Sequence, residues 1–234
     1  MTGTRVLFEV NALSARYGSL LALDNVSLTF AGAARTGIFG HNGSGKSTLL
    51  KCLIGAIEDI DGSVQFLEHT IRPGAIHRNV RHGIGMVHQS RNVFPSLTVE
   101  QCLRIAGMQP GSAPIATALE VFPILAERRE QRAGSMSGGE QQMLAVGMAL
   151  MRRPKAILLD EPTAGLSPVA AENVLASLVR INEQYGVAVI LVEQNVLASL
   201  EIVERAIVMK AGKIALDSDA RALQKNKETL WKYF

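Results

Sequence analysis

The spacing of apolar residues along this chain switches between two periods, and the switches mark out the elements. Residues 7–13 and 24–30 alternate apolar with polar side chains, the pattern of strands with one buried face. Residues 35–40 form a short, mostly apolar run that leads into a glycine-rich loop, and residues 47–54 follow at helical spacing. Residues 81–87 predict another strand, ending at His88 and Gln89. From about 99 to 153 the pattern is mostly helical, broken by a turn-rich stretch at 107–114. Residues 156–159 and 187–192 predict short buried strands, with an amphipathic helix over 170–185 between them. Strand, helix, strand in that order implies parallel pairing through a right-handed crossover. Residues 206–209 and 213–216 predict a closing hairpin around Gly212. With no internal repeat, coiled-coil heptad or low-complexity linker, the helical middle reads as an insertion into one α/β domain. The core is then 1–88 and 155–234, and the helical insertion about 89–154.

Composition narrows this picture. The 234 residues fit one large domain, and 47% apolar with only 5% aromatic residues calls for an aliphatic core, as in a parallel sheet covered by helices. The formal charge of +3 is mild and the Lys and Arg residues are scattered, so no nucleic-acid partner is expected. Cys52 and Cys102 lack metal-ligand spacing and read as buried or idle thiols. His69, His77, His82 and His88 lack it too. His41, in the glycine-rich loop, reads as a passive side chain. The first residues contain an early acid and no long apolar region, unlike a signal peptide. The most apolar stretches, 143–151 and 187–192, fall well short of the roughly 20 residues a membrane span needs. Any membrane role is therefore expected to come through partners.

GHNGSGKST at 40–48 satisfies G-x-x-x-x-G-K-[ST] in full, between a predicted strand and a predicted helix. Glycines let successive backbone N–H groups line an anion-sized nest, and the helix start adds its unpaired N–H groups. Asn42, Gly43, Ser44, Gly45, Lys46, Ser47 and Thr48 are the expected phosphate cradle. Lys46 would act as a point charge on the β- and γ-phosphates, and the Ser47 hydroxyl as a Mg²⁺ ligand.

AILLDEP at 156–162 is a predicted buried strand ending in two acids. Alone, such an ending also fits an exposed strand terminus. Downstream of a phosphate loop, Asp160 is the expected holder of the Mg²⁺ hydration shell, and Glu161 the expected general base on the attacking water. Ser137-Gly138-Gly139-Glu140 reads as a capping box opening a helix with a buried face. By spacing alone it fits either a capped structural helix or a helix start offered to an anion.

Together these residues resemble the ATP-binding subunits of ABC transporters, over essentially the whole chain. In that resemblance Tyr17 stacks on adenine, 40–48 is the Walker A motif, and Gln89 is the Q-loop glutamine, with a share in the Mg²⁺ site. MSGGEQQ at 136–142 is the signature, with Ser137 to Glu140 facing a nucleotide; 156–162 is Walker B, and 164–168 the D-loop. VFPSLTVE at 93–100, ERREQRAGSMSGGEQQML at 127–144 and LVEQN at 191–195 resemble the branched-chain amino acid uptake group, the LivF type.

The resemblance implies a P-loop NTPase fold: a RecA-like parallel-sheet core, an N-terminal antiparallel β portion and an inserted α-helical subdomain. It implies ATP and Mg²⁺ as ligands, and a head-to-tail dimer with a second ATPase subunit, identical or different. It further implies two transmembrane permease subunits, a separate substrate-binding protein, no direct contact with the transported molecule, and a peripheral place on the cytoplasmic face of the membrane. A urea or short-chain amide importer, a non-transport ABC ATPase and a nucleotide-binding module without turnover remain alternatives.

Four departures stand out. Gln194 replaces the usual switch histidine and cannot exchange a proton, although it can still donate a hydrogen bond. Glu140 replaces a common glutamine and brings a negative charge toward the partner's phosphates. Met148 replaces a common arginine, and the stretch 107–114 is short. The apolar tail 230–234 is expected to fold back onto the domain.

Overall fold

A tight turn at Gly18 and Ser19 reverses the chain between two long strands, β1 (Val6–Tyr17) and β2 (Leu20–Ala31). Both outrun the alternating stretches seen in the sequence. Ala12 has a φ of 47°, and the pairing slips between Val10 and Leu13 and again before Ala15. Each bulge reverses the inside–outside pattern, so period-two reading stops there. The chain continues through β3 (Arg35–Phe39), α1 (Lys46–Ile54), β4 (Ile60–Phe66) and β5 (His69–Thr70). Then come α2 (Ile76–Asn79), a 3₁₀ turn and β6 (Ile84–Val87). The helices α3 (Val99–Ala106), α4 (Ile115–Val121), α5 (Pro123–Glu127) and α6 (Gly138–Leu150) follow. The last part is β7 (Ala156–Asp160), α7 (Pro168–Tyr185), β8 (Ala188–Val192), α8 (Val196–Ile202), β9 (Arg205–Lys210), β10 (Lys213–Asp219) and α9 (Ala220–Lys225). This computed structural model describes residues 5–90, 92–226, 228, 232 and 233. Leu230, Trp231 and Phe234 of the apolar tail lie outside the described residues, whereas Tyr233 packs against the core, as a folded-back tail would.

The strands form two sheets, ordered β2-β1-β4-β5 and β10-β9-β3-β8-β7-β6. The smaller is antiparallel, as expected for the N-terminal portion. In the larger, β6, β7, β8, β3 and β9 are parallel and β10 closes the edge as a hairpin arm. β4 and β5 are absent from the sequence reading: β4 carries the turn-prone Asp61-Gly62-Ser63, and β5 is only two residues long. An added Cβ on Gly62 would sit 2.4 Å from Ala12 O, so glycine there lets β4 close onto the β1 bulge. β6 starts later than expected, since residues 80–82 form the 3₁₀ turn that ends at Gly83.

Successive residues of the central strands enter different cores. Ile157 and Leu159 of β7 join the layer of α3, α6 and α7, while Ala156 and Leu158 join the layer around α1. β8 divides likewise, with Val189 and Leu191 on one face and Ala188, Ile190 and Val192 on the other. Both faces of these strands are buried, which accounts for their unbroken apolar runs. α1 itself lies between the sheets, burying Leu49, Leu50 and Leu53 against Phe8, Phe30 and Phe66. The start of α1 is thereby held rigidly at the end of β3.

Candidate functional site

Because β3, β8, β7 and β6 are parallel neighbours, their C-terminal ends lie along one sheet edge. Asp160 is the last residue of β7, and residues 40–45, 193–194, 161 and 88–89 follow directly from those ends. In open α/β sheets this edge is where ligands bind.

The loop after β3 is pinned from two sides. Gly212 N donates to Ser44 O at 3.0 Å, and Asp24 N donates to Gly212 O at 3.0 Å. Gly40, at a φ of 140°, passes so close to β9 that a Cβ would meet Met209 O at 2.2 Å. Asn42 and Gly43 are exposed at the loop tip, while Ser44, Lys46 and Thr48 are buried. Lys46 Nζ donates to Gly40 O at 2.7 Å and to His41 O at 2.8 Å. Burial holds its pKa below the usual lysine range, with the nearby Glu161 and Asp160 opposing that shift. Ser44 Oγ is buried with no hydrogen-bond partner, a donor available to an anion in the loop.

The acids at the end of β7 divide their work. The Ser47 hydroxyl donates to Asp160 Oδ1 at 2.8 Å. Glu161 stands in the left-handed region, at a φ of 49°, a strained position for a residue other than glycine. Its carboxylate is gripped on both oxygens: Gln89 Nε2 donates to Oε2 at 2.9 Å and Gln194 Nε2 to Oε1 at 2.7 Å. The fold thus brings Lys46, Ser47, Gln89, Asp160, Glu161 and Gln194 together from four loops. Tyr17 is a half-exposed side chain at the end of β1.

Ser137 caps α6 in a full capping box. Glu140 N donates to Ser137 Oγ at 3.4 Å, and Ser137 N donates to Glu140 Oε2 at 2.9 Å. The other carboxylate oxygen, Oε1, is 3.0 Å from Arg128 Nη2. The negative charge noted in the sequence is therefore balanced locally, by a residue the sequence left unmarked. Gly138 lies against Leu166 and Gly139 against the start of α7, where an added Cβ would be 2.8 Å from Ala170 Cβ. Among the described residues no hydrogen bond joins Ser137–Glu140 to the phosphate loop or to Glu161.

Glu193 is a second residue the sequence left unassigned. It is buried, accepting at Oε1 from Thr163 N at 2.8 Å and Thr163 Oγ1 at 2.7 Å, and at Oε2 from Gln194 N at 3.1 Å. Burial pushes its pKa up, and those hydrogen bonds pull the other way. It ties the 163–166 turn to the strand end that carries Gln194. Its signal was an acid directly following a fully buried strand, as at Asp160 and Glu161.

Comparisons with known proteins agree with this geometry. A family model described as ABC transporter matches residues 23–164. The chain is 38% identical to the high-affinity branched-chain amino acid transport ATP-binding protein BraG of Pseudomonas aeruginosa, covering 94% of this chain and 96% of that one. It is 37% identical to a probable branched-chain amino acid transport ATP-binding protein, LivF, of Archaeoglobus fulgidus, covering 90% and 91%. Among solved structures, the dimeric post-hydrolysis state of an ATP-binding cassette bound to ADP and Pi superimposes with a TM-score of 0.78. That pair shares 25% identity over 92% of this chain and 99% of the other.

Proposed function

The chain belongs to the ABC transporter family as its ATP-hydrolysing subunit, and from that premise we propose that it powers an importer of branched-chain amino acids. The observation that carries the chemistry is the Glu161 carboxylate held by two neutral amides, beside the Ser47–Asp160 pair and the buried Lys46. The cargo follows from BraG and LivF, whose names state branched-chain amino acid transport.

The triphosphate of ATP lies in the 40–48 loop, cradled by the backbone of Asn42, Gly43, Ser44 and Gly45 and by the start of α1 at Ser47 and Thr48. Lys46 exchanges its carbonyl partners for phosphate oxygens, and Ser44 Oγ supplies a further donor. Tyr17 stacks on the adenine. Ser47, Asp160 and Gln89 offer only hard oxygen donors, the set that suits Mg²⁺. Mg²⁺, when bound, neutralises charge on the phosphates. Glu161 accepts the proton of the attacking water and fixes its direction. Gln89 and Gln194 hold that carboxylate in place; Gln194 contributes orientation and no proton transfer.

The Ser137–Glu140 helix start serves the ATP of a second ABC ATPase subunit, identical or related, in a head-to-tail dimer. Dimeric cassette structures of the kind superimposed above support that pairing. Helices within 89–154 form the subdomain that moves, and Gln89 joins it to the core. Two permease subunits dock beside it, placing the chain on the cytoplasmic face of the membrane as a peripheral subunit, and a separate binding protein delivers the cargo. No helix among the described residues is long and apolar enough to cross a membrane. The test is reconstitution with the permeases and binding protein in vesicles. Leucine, isoleucine or valine should drive both uptake and phosphate release; uptake confined to another solute class would refute the cargo assignment.

A further inference from the structure

At the opposite edge of the large sheet, where β7 and β8 begin, lies a cavity of about 560 Å³. It is far along the strands from the nucleotide loops and shares no residue with them. Its floor is apolar: Leu7 of β1 and Val187 ahead of β8 are buried, as are Ala113 and Leu150 from the helical segment. Its size falls in the range of small-molecule sites, and its lining is mostly apolar with a few charged groups, as such sites usually are.

Those charged groups are all cationic. Arg5, Arg153 and Lys155 line it, and no carboxylate does, although the Lys155 side chain runs along Gly83 toward His82, two residues outside the lining. Arg5 is paired with Glu68 at 3.5 Å. Among the described residues no acid lies within ion-pair distance of Arg153 or Lys155.

Arg153 also occupies an unusual backbone position. It ends the last turn of α6, donating its N–H to Leu150 O at 2.9 Å, with a φ of 49°. Helices commonly end in this left-handed conformation on glycine, which adopts it without a Cβ penalty. Here the position carries a long cation at the mouth of an apolar cavity instead.

We infer that this cavity binds a small aliphatic monocarboxylate, its chain on the apolar floor and its carboxylate on Arg153. A zwitterionic amino acid fits badly, because its ammonium group would meet the cations of the lining while Glu68 at the rim is already paired with Arg5. A neutral alcohol of the same length would lose the charge-assisted hydrogen bonds.

The test is calorimetric titration of the full chain with octanoate, with 1-octanol and leucine as controls. Octanoate should bind at least about tenfold more tightly than either, the ratio expected for one charge-assisted hydrogen bond. Arg153→Gly should weaken octanoate about tenfold without lowering the melting temperature, since glycine suits that φ. Thr117→Phe should block it by filling the cavity from α4. No octanoate binding, equal binding of octanol or leucine, or unchanged binding in Arg153→Gly would each overturn the assignment.

Discussion

Gln194 Nε2 donates to Glu161 Oε1 at 2.7 Å, on the oxygen opposite the one Gln89 holds at 2.9 Å. The residue at the switch position therefore holds the carboxylate proposed to activate water, and does so as a neutral donor. Glu161→Gln keeps the size of the side chain but removes the base. Its turnover should fall by about 10²-fold or more in a phosphate-release assay, with ATP still bound. Near-normal turnover would take Glu161 out of that role.

A glutamine at 194 contributes no ionisation between pH 5 and 8, so the profile of turnover against pH should lack a step from this position. Gln194→His introduces one. Its acid limb should show an added fall near pH ~6.5, as the imidazole becomes charged beside Glu161. Superimposable profiles would mean that position 194 does not touch the reacting centre.

Arg128 and Glu140 form a pair whose value lies in where its charge points. Arg128→Gln leaves the Glu140 carboxylate unbalanced at a helix start proposed to face the partner's phosphates. We expect turnover of the assembled dimer to drop several-fold, about tenfold at most, since solvent reaches the Arg128 side of the pair and screens it. Glu140→Gln in the same chain should restore it. If the double variant stays as slow as the single, Arg128 acts through folding instead.

Gly139 sets two effects against each other. Alanine gains roughly 1 kcal/mol in helix propensity. Its methyl group would meet Ala170 Cβ at 2.8 Å, and neither atom can swing aside. Overpacking of this kind costs about 1–3 kcal/mol, so Gly139→Ala should lower stability in urea unfolding. An unchanged or raised midpoint would show that α6 and α7 shift apart easily.

Glu193 gives a pH signature to stability. Its pKa is raised by burial, so at pH values between the unfolded and folded pKa the folded chain holds a proton that the unfolded chain has released. Stability from this group is full below the ordinary carboxylate range and declines as pH rises from there through the raised value. Urea midpoints measured across that window should slope downward in the native chain and less steeply in Glu193→Gln. Parallel slopes would assign the pH dependence to other groups.

Much of this was readable without coordinates, for local reasons. The phosphate loop, the buried strand before Asp160 and Glu161, and the Ser137 capping box are contiguous segments, and their chemistry follows from residue type and spacing. β4 was unreadable because its pairing with β1 overrides a turn-like Asp61-Gly62-Ser63. Arg128 and Glu193 went unassigned because their partners, Glu140 and Thr163, lie elsewhere in the chain. Neither the grip of Gln89 and Gln194 on Glu161 nor the cationic cavity beneath the sheet has a sequence motif. By itself, then, the sequence determined the family's ligand class, the parallel character of the core strands and which groups are proposed to react. Only the tertiary structure decided which groups meet. Hydrogen bonds reach about 3 Å, and residues far apart in the chain come that close only where packed strand ends place them.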